Sequence, residues 1–130
     1  MNVTQTYKDL RAWQVSVDLV EAVYKATEHF PRTETFGLVS QMRRAAVSIS
    51  ANIAEGNSRQ SLGAYVNHLA IALGSVCELR TLIEISRRLQ FLQAQDLRAL
   101  LVCLDECGRL VSGLRAALKK RQVSGPLPES

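Results

Sequence analysis

The sequence predicts an all-α protein, an antiparallel up-down-up-down four-helix bundle, and three observations carry that prediction. Apolar residues recur at alternating steps of three and four along four separate segments, the pattern of helices with a buried stripe. Only 3 prolines and 7 glycines interrupt the 130 residues, which leaves room for long helices. No segment alternates apolar and polar residues at the period of two that a half-buried strand needs. The expected organisation is an N-terminal arm over 1–8, one bundle over 9–122 and a flexible C-terminal tail over 123–130.

Helix one is expected from about Asp9 to His29. Leu10, Trp13, Val17, Val20, Tyr24 and Thr27 form one row, and Ala12, Val15, Leu19, Val23, Ala26 and Phe30 form a second dry row beside it. Arg11, Gln14, Asp18, Glu21, Lys25 and Glu28 make a narrow solvated row. A helix in a monomeric bundle needs an apolar stripe of only about 100°. The surplus therefore predicts that copies cluster and that another subunit covers part of this helix. Pro31 then breaks the helix, and Thr33 is the expected N-cap of the next one.

Helix two, from about Glu34 to Glu55, holds the least ordinary stretch of the chain. Met42, Ala45, Ile49 and Ile53 make an apolar stripe, while Ala46, Ser48, Ser50, Ala51 and Ala54 are all small. Small side chains allow neighbouring backbones to come close, so this helix is expected to be surrounded. A polar row of Gln41, Arg44, Ser48, Asn52 and Glu55 runs through it, and Gly56 is placed to end it in a left-handed turn. With helix three returning antiparallel, Arg44 and Glu78 fall at similar depth. Arg44, Asn52, Glu55 and Glu78 are thus read as a buried polar network that fixes register.

Helix three opens at Ser58 or Ser61, either a suitable cap. Leu62, Tyr65, Leu69, Ala72, Val76, Leu79 and Ile83 form the cleanest apolar row in the chain. Gly74 inside it costs about 1 kcal/mol against alanine, which points to a close backbone contact. Glu84 and Arg88 make a four-apart ion pair near the helix end. After a short connection over 89–94, helix four runs from about Gln95 to Gln122, with Leu97, Leu100, Leu104, Cys107, Val111, Leu114 and Leu118 as its stripe. Asp105 and Arg109 form another helical pair, and Lys119, Lys120 and Arg121 suit the negative end of the helix dipole.

Composition bounds the function. Hydrophobic residues make up 47% and charged residues 22%, which is ordinary for a globular domain. No apolar run approaches the roughly 20 residues of a membrane span, and no secretory signal opens the chain. Cys77, Cys103 and Cys107 are an odd number of cysteines on helical patterns, which fits buried free thiols and a cytoplasmic protein. A di-metal centre in a bundle needs Glu-x-x-His pairs, and neither His29 nor His68 has a glutamate three residues before it. Cys103 and Cys107 lack the companions of a zinc site. No phosphate loop or nucleophile elbow is present. No metal and no cofactor are therefore expected, and the chain reads as a binding protein, not an enzyme.

The net charge is +4, with a pI near 9.3, which permits an anionic partner. Arg43, Arg59, Arg87, Arg88, Arg115, Lys119, Lys120 and Arg121 are the cations expected at the surface. With aromatics at 5%, base stacking has little support, so contact to nucleic acid would be to backbone phosphate and salt-sensitive. Arg43, Arg59, Arg87, Arg88, Lys119, Lys120 and Arg121 are the expected nucleic-acid contacts.

Residues 41–49 (QMRRAAVSI) and 51–56 (ANIAEG) resemble the hallmark of the four-helix-bundle proteins encoded in bacterial 23S ribosomal-RNA intervening sequences. Arg59, Ser61, Tyr65, the run Ile71-Ala72-Leu73-Gly74-Ser75, Glu78, Leu79 and Thr81 add to the resemblance, as does the opening Tyr7-Lys8-Asp9-Leu10 with Ala12 and Trp13. It spans about residues 7–121, with Ser50 standing where many relatives carry proline. The resemblance implies a homopentameric barrel and kinship to the accessory protein of diversity-generating retroelements, a basic pentamer that binds nucleic acid and a reverse transcriptase. The leading expectation is an oligomer that binds structured RNA or DNA. The alternative is a scaffold that docks a partner protein, with no direct nucleic-acid role and no membrane.

Overall fold

The computed structural model describes residues 6–124. The expectations for the first residues of the arm and for the end of the tail lie outside the described residues. Four long helices dominate: α1 (Arg11–Thr27), α2 (Ser40–Ser58), α3 (Leu62–Arg88) and α4 (Ala94–Val123). Each helix packs against the next, and α1 closes the ring by packing on α4, with the broadest contact between α2 and α3. Cross-helix contacts give the register. Along α2 and α3 the pairs are Met42 with Ser86, Ser48 with Ser75, Asn52 with His68 and Asn57 with Tyr65, so numbers fall on α3 as they rise on α2.

The core follows the predicted stripes. Met42, Ala45, Ile49 and Ile53 of α2 are buried, as are Leu69, Ala72, Val76, Leu79 and Ile83 of α3 and Leu100, Leu104, Cys107, Val111 and Leu118 of α4. Fully burying one such aliphatic side chain stabilises the fold by about 1.5–3 kcal/mol, so the shared interior is the main force holding the four helices. Of the two dry rows of α1, one is buried within the chain and the other is only partly covered. Ala12, Val15, Leu19, Val23 and Ala26 are buried in the core, while Trp13, Val17 and Val20 are half-buried. Tyr7 packs edge-on against Trp13 at 5.1 Å between ring centroids. Tyr24, further along the same row, is 43% exposed.

The helix ends correct several expectations. Tyr7–Asp9 forms a single 3-10 turn, capped by Thr6, before α1 begins at Arg11. Thr33 does not cap α2. The chain instead passes through a 3-10 turn at Arg32–Glu34 and a wide turn at Thr35–Val39 that departs from helical angles at Gly37. The Glu34 carboxylate accepts the Leu38 N–H at 3.2 Å there. Gly56 does not end α2, which continues to Ser58. Ser61 caps α3, its hydroxyl accepting the Ala64 N–H at 3.0 Å. The left-handed turn appears instead at Gln90 (φ 65°), after α3. There Phe91 N–H reaches Ser86 O and Gln90 N–H reaches Arg87 O, both at 3.0 Å, the paired bonds of a Schellman stop. Phe91 then packs on Phe30 at 5.6 Å, tying the turn to the end of α1.

Among the described residues no helix is long and apolar enough to cross a membrane.

Candidate nucleic-acid interface and the α2–α3 groove

The predicted cations divide between the two ends of the bundle. Val66 O accepts from Arg115 Nε at 3.3 Å, and Gly63 lies against Gln122, so the start of α3 sits beside the end of α4. Arg59, Lys119, Lys120 and Arg121 therefore gather at one end, all exposed. Arg43, Arg87 and Arg88 lie at the other, where α2 starts and α3 finishes. At 1.5 Å per residue, Arg87 and Arg88 stand about 40 Å from the start of α3, and Arg43 about 24 Å from Arg59 along α2.

The two ends also differ in how their charges are satisfied. Glu84 takes two hydrogen bonds from Arg87, at 2.8 and 2.9 Å, and one from Arg88 at 2.8 Å. Those bonds, Arg87's first, hold the Glu84 carboxyl down at about 2. Arg43 is half-buried. Its guanidinium lies 4.3 Å from the Tyr24 ring centroid and donates to Thr27 Oγ1 at 3.0 Å and Tyr24 O at 3.4 Å. That arrangement fastens α2 to the last turn of α1 and makes Arg43 a structural residue. Arg59 is paired to Glu55 at 3.0 Å on the surface. Lys119, Lys120 and Arg121 have no carboxylate partner among the described residues.

The expected buried network takes a different form. Arg44, Glu55 and Glu78 are exposed, and of the four only Asn52 enters a semi-buried cluster. Its amide nitrogen donates to Ser48 O at 2.9 Å and Ser48 Oγ at 3.2 Å, and Ser75 Oγ donates to Ser48 Oγ at 2.9 Å. The Asn52 carbonyl oxygen meets His68 Nδ1 at 3.1 Å, which fits an imidazole carrying its proton on that nitrogen. Long charged side chains at the edge of the helix contact reach water, whereas short polar ones stay between the backbones. Every buried side-chain polar atom among the described residues has a hydrogen-bond partner. In the sequence His68 is weighed only as a metal ligand, and rejected as one. Its polar role is signalled by Asn52, which the α2–α3 return places opposite it.

Bordering this cluster, α2 and α3 flank an open groove of about 440 Å³, lined by Phe36, Gln41, Arg44, Ser48, Ser75 and Glu78. Arg44 and Glu78 do share one depth, but as two exposed side chains on the groove, not as a buried pair. A second groove, of about 670 Å³, runs between α3 and α4 past Leu73, Val76, Cys77 and Gly108. Asp105 on its rim pairs with Arg80 of α3 at 2.8 Å, across the helices, in place of the expected pair with Arg109. Of the cysteines, Cys107 is buried and its thiol is pushed up to about 12, chiefly by burial. Cys103 is half-buried and shifted the same way, while Cys77 is exposed, against the expectation of a buried thiol.

Comparison with known proteins agrees with this architecture. Among solved structures the chain is similar to a protein of unknown function from the S23 ribosomal protein family of Bacteroides thetaiotaomicron VPI-5482. The TM-score is 0.74 at 21% identity, over 81% of this chain and 95% of that one, a likeness of fold. No curated protein matches. The family model described as 23S rRNA-intervening sequence protein matches residues 8–113, which takes in the wide turn, the Asn52–His68 cluster and three of the helices with most of the fourth. The chain belongs to the 23S rRNA-intervening sequence protein family.

Proposed function

We propose that this protein is an antiparallel up-down-up-down bundle whose copies assemble into a homo-oligomer, a pentamer by the family resemblance. The assembly binds structured nucleic acid, ribosomal RNA or DNA, through backbone phosphates. It acts in the cytoplasm by binding and not by catalysis. One observation carries the reading: Lys119, Lys120 and Arg121 are exposed together at the end of α4 with no carboxylate partner among the described residues. Exposed cations without partners are what a polyanion can use, since each phosphate contact releases a counterion. Arg59 flanks them at the same end of the bundle. The Arg87–Arg88 pair is a poorer candidate than the sequence implied, because Glu84 already neutralises part of it.

The test is a filter-binding titration with a ribosomal-RNA fragment and a DNA duplex between 50 and 200 mM salt. The expected result is steep weakening with salt. Replacing Lys119, Lys120 and Arg121 by alanine should lower the salt slope by about one for each phosphate no longer neutralised. No binding, or binding that ignores salt, overturns the reading.

A further inference from the structure

We propose that the groove between α2 and α3 binds a free α-amino acid with an apolar side chain, Arg44 taking its carboxylate and Glu78 its ammonium. The inference starts from the polar row of α2, which the fold uses only in part. Ser48 and Asn52 are bonded to Ser75 and His68 of α3, and Glu55 is paired to Arg59. Gln41 makes no side-chain hydrogen bond among the described residues, and Arg44 makes a single long one, to Ser40 Oγ at 3.4 Å.

Register brings the unused groups together. Ser48 and Ser75 meet at 2.9 Å across the two helices. Arg44 lies four residues before Ser48, and Glu78 three residues after Ser75. Because the helices run in opposite senses, both stand about one turn, roughly 5 Å, to the same side of the serine pair. Packed helices are about 8–10 Å apart, so two long side chains at one depth flank the same small space. The groove volume of about 440 Å³ falls within the range of small-molecule sites.

The chemistry of the lining calls for a ligand with both charges. Arg44 and Glu78 have no ion-pair partner among the described residues, including each other. An anion alone meets the Glu78 carboxylate, and a cation alone meets the Arg44 guanidinium. A zwitterion satisfies both. A guanidinium grips a carboxylate with two parallel N–H bonds, and an ammonium brings three donors for the Glu78 oxygens and the Gln41 carbonyl. The serine pair adds a donor. It holds two hydroxyl protons, one spent between the two oxygens and the other without an acceptor among the described residues.

Phe36 sets the side-chain preference. It lines the same groove from the wide turn before α2 and is 95% exposed. A large ring held in water beside a polar site gains from being covered, and an apolar ligand side chain covers it.

Isothermal titration calorimetry of the full chain, with circular dichroism as the check on folding, tests the proposal with L-phenylalanine and L-leucine as probes. Each should bind saturably, with a dissociation constant below about 1 mM. N-acetylphenylalanine lacks the ammonium and phenylalaninamide the carboxylate, and each should bind roughly tenfold more weakly or worse. Arg44→Gln and Glu78→Gln should lose as much for the free amino acid while keeping wild-type helicity, and Phe36→Ala should weaken L-phenylalanine several-fold. No saturable binding of either probe overturns the proposal, as does equal binding of the free and blocked forms. Binding of guanosine in place of both amino acids also overturns it, since a base edge carries donors and acceptors for the same two groups. If the probes bind but the Arg44 and Glu78 variants match wild type, the groove is refuted. None of these outcomes depends on the cations at the end of α4, so the nucleic-acid reading stands or falls separately.

Discussion

Gly56 of α2 lies directly against His68 of α3: a Cβ added at Gly56 would stand 2.8 Å from the His68 Cβ and 3.0 Å from Tyr65 Cδ1. The His68 Cβ is fixed to its own backbone, so it cannot swing aside. The two helices can approach this closely only because residue 56 has no side chain. The closeness also brings His68 within reach of Asn52 and Tyr65 within reach of Asn57.

Gly56→Ala is therefore expected to destabilise the fold, although alanine favours a helix. Overpacking costs about 1–3 kcal/mol, and the helix propensity returned is at most about 1. The melting temperature by circular dichroism should fall, and the His68 ring signals in an NMR spectrum should shift as Asn52 loses its place. An unchanged melting temperature would show that α3 can slide outward at no cost.

The Glu84 triad predicts a particular acid response. Its carboxyl is held down at about 2 by Arg87 and Arg88, below the ordinary 4.5. A carboxyl with a depressed folded-state pKa contributes its stability in full above its unfolded value. That contribution fades as pH falls through the interval from about 4.5 to about 2. The effect is modest, because the pairs are exposed. Melting temperatures of wild type and Glu84→Gln, measured from pH 7 to 2, should differ at neutral pH and converge in that interval. A difference that persists unchanged to pH 2 would place the stabilising contact elsewhere.

The thiols should react in the order of their burial. Cys77 is exposed, Cys103 half-buried and Cys107 buried with its thiol pushed up to about 12. The thiolate is the nucleophile, so Cys107 has both poor access and almost no reactive form near pH 8. Iodoacetamide followed by peptide mass spectrometry should show Cys77 modified first and Cys107 only in denaturant. Equal rates at Cys77 and Cys107 would mean that α4 opens readily from the core.

Hydrophobic periodicity makes the interior legible, because burial of apolar side chains dominates folding and repeats at the helical period. The stripes of α2, α3 and α4 read from Met42, Leu69 and Leu104 outward are the buried ones. Polar and glycine positions are less legible. Adjacent helical residues point about 100° apart, so Arg43 and Arg44 differ by a rotation that sequence does not display. The structure turns Arg43 onto Tyr24 and leaves Arg44 at the groove. The two glycines depart from their expected roles for a similar reason: Gly56 is the close contact instead of the helix end, and Gly74 is open, a matter of which neighbour lies opposite. The cations at the end of α4 are readable as a run. That Arg87 and Arg88 share one carboxylate with each other depends on side-chain geometry at the last turn.

Arg43 and the α4 cluster should separate cleanly in experiment. Arg43→Ala removes the contact with Tyr24 and the hydrogen bonds to Thr27 Oγ1 and Tyr24 O. Losing a guanidinium over a ring together with a charged hydrogen bond costs about 1–3 kcal/mol, and thermal melts should show it. Nucleic-acid affinity of the folded variant should stay within a factor of two of wild type, because the Arg43 donors face inward. Lys119→Ala with Lys120→Ala should do the reverse. These side chains are exposed and without carboxylate partners among the described residues, so stability should move by less than about 0.5 kcal/mol. Affinity for a ribosomal-RNA fragment at 50 mM salt should drop several-fold, and the drop should shrink as salt rises, since screening has already weakened the wild-type contacts. If Arg43→Ala weakens binding as much as the lysine pair does while the fold is intact, the interface lies at the opposite end of the bundle.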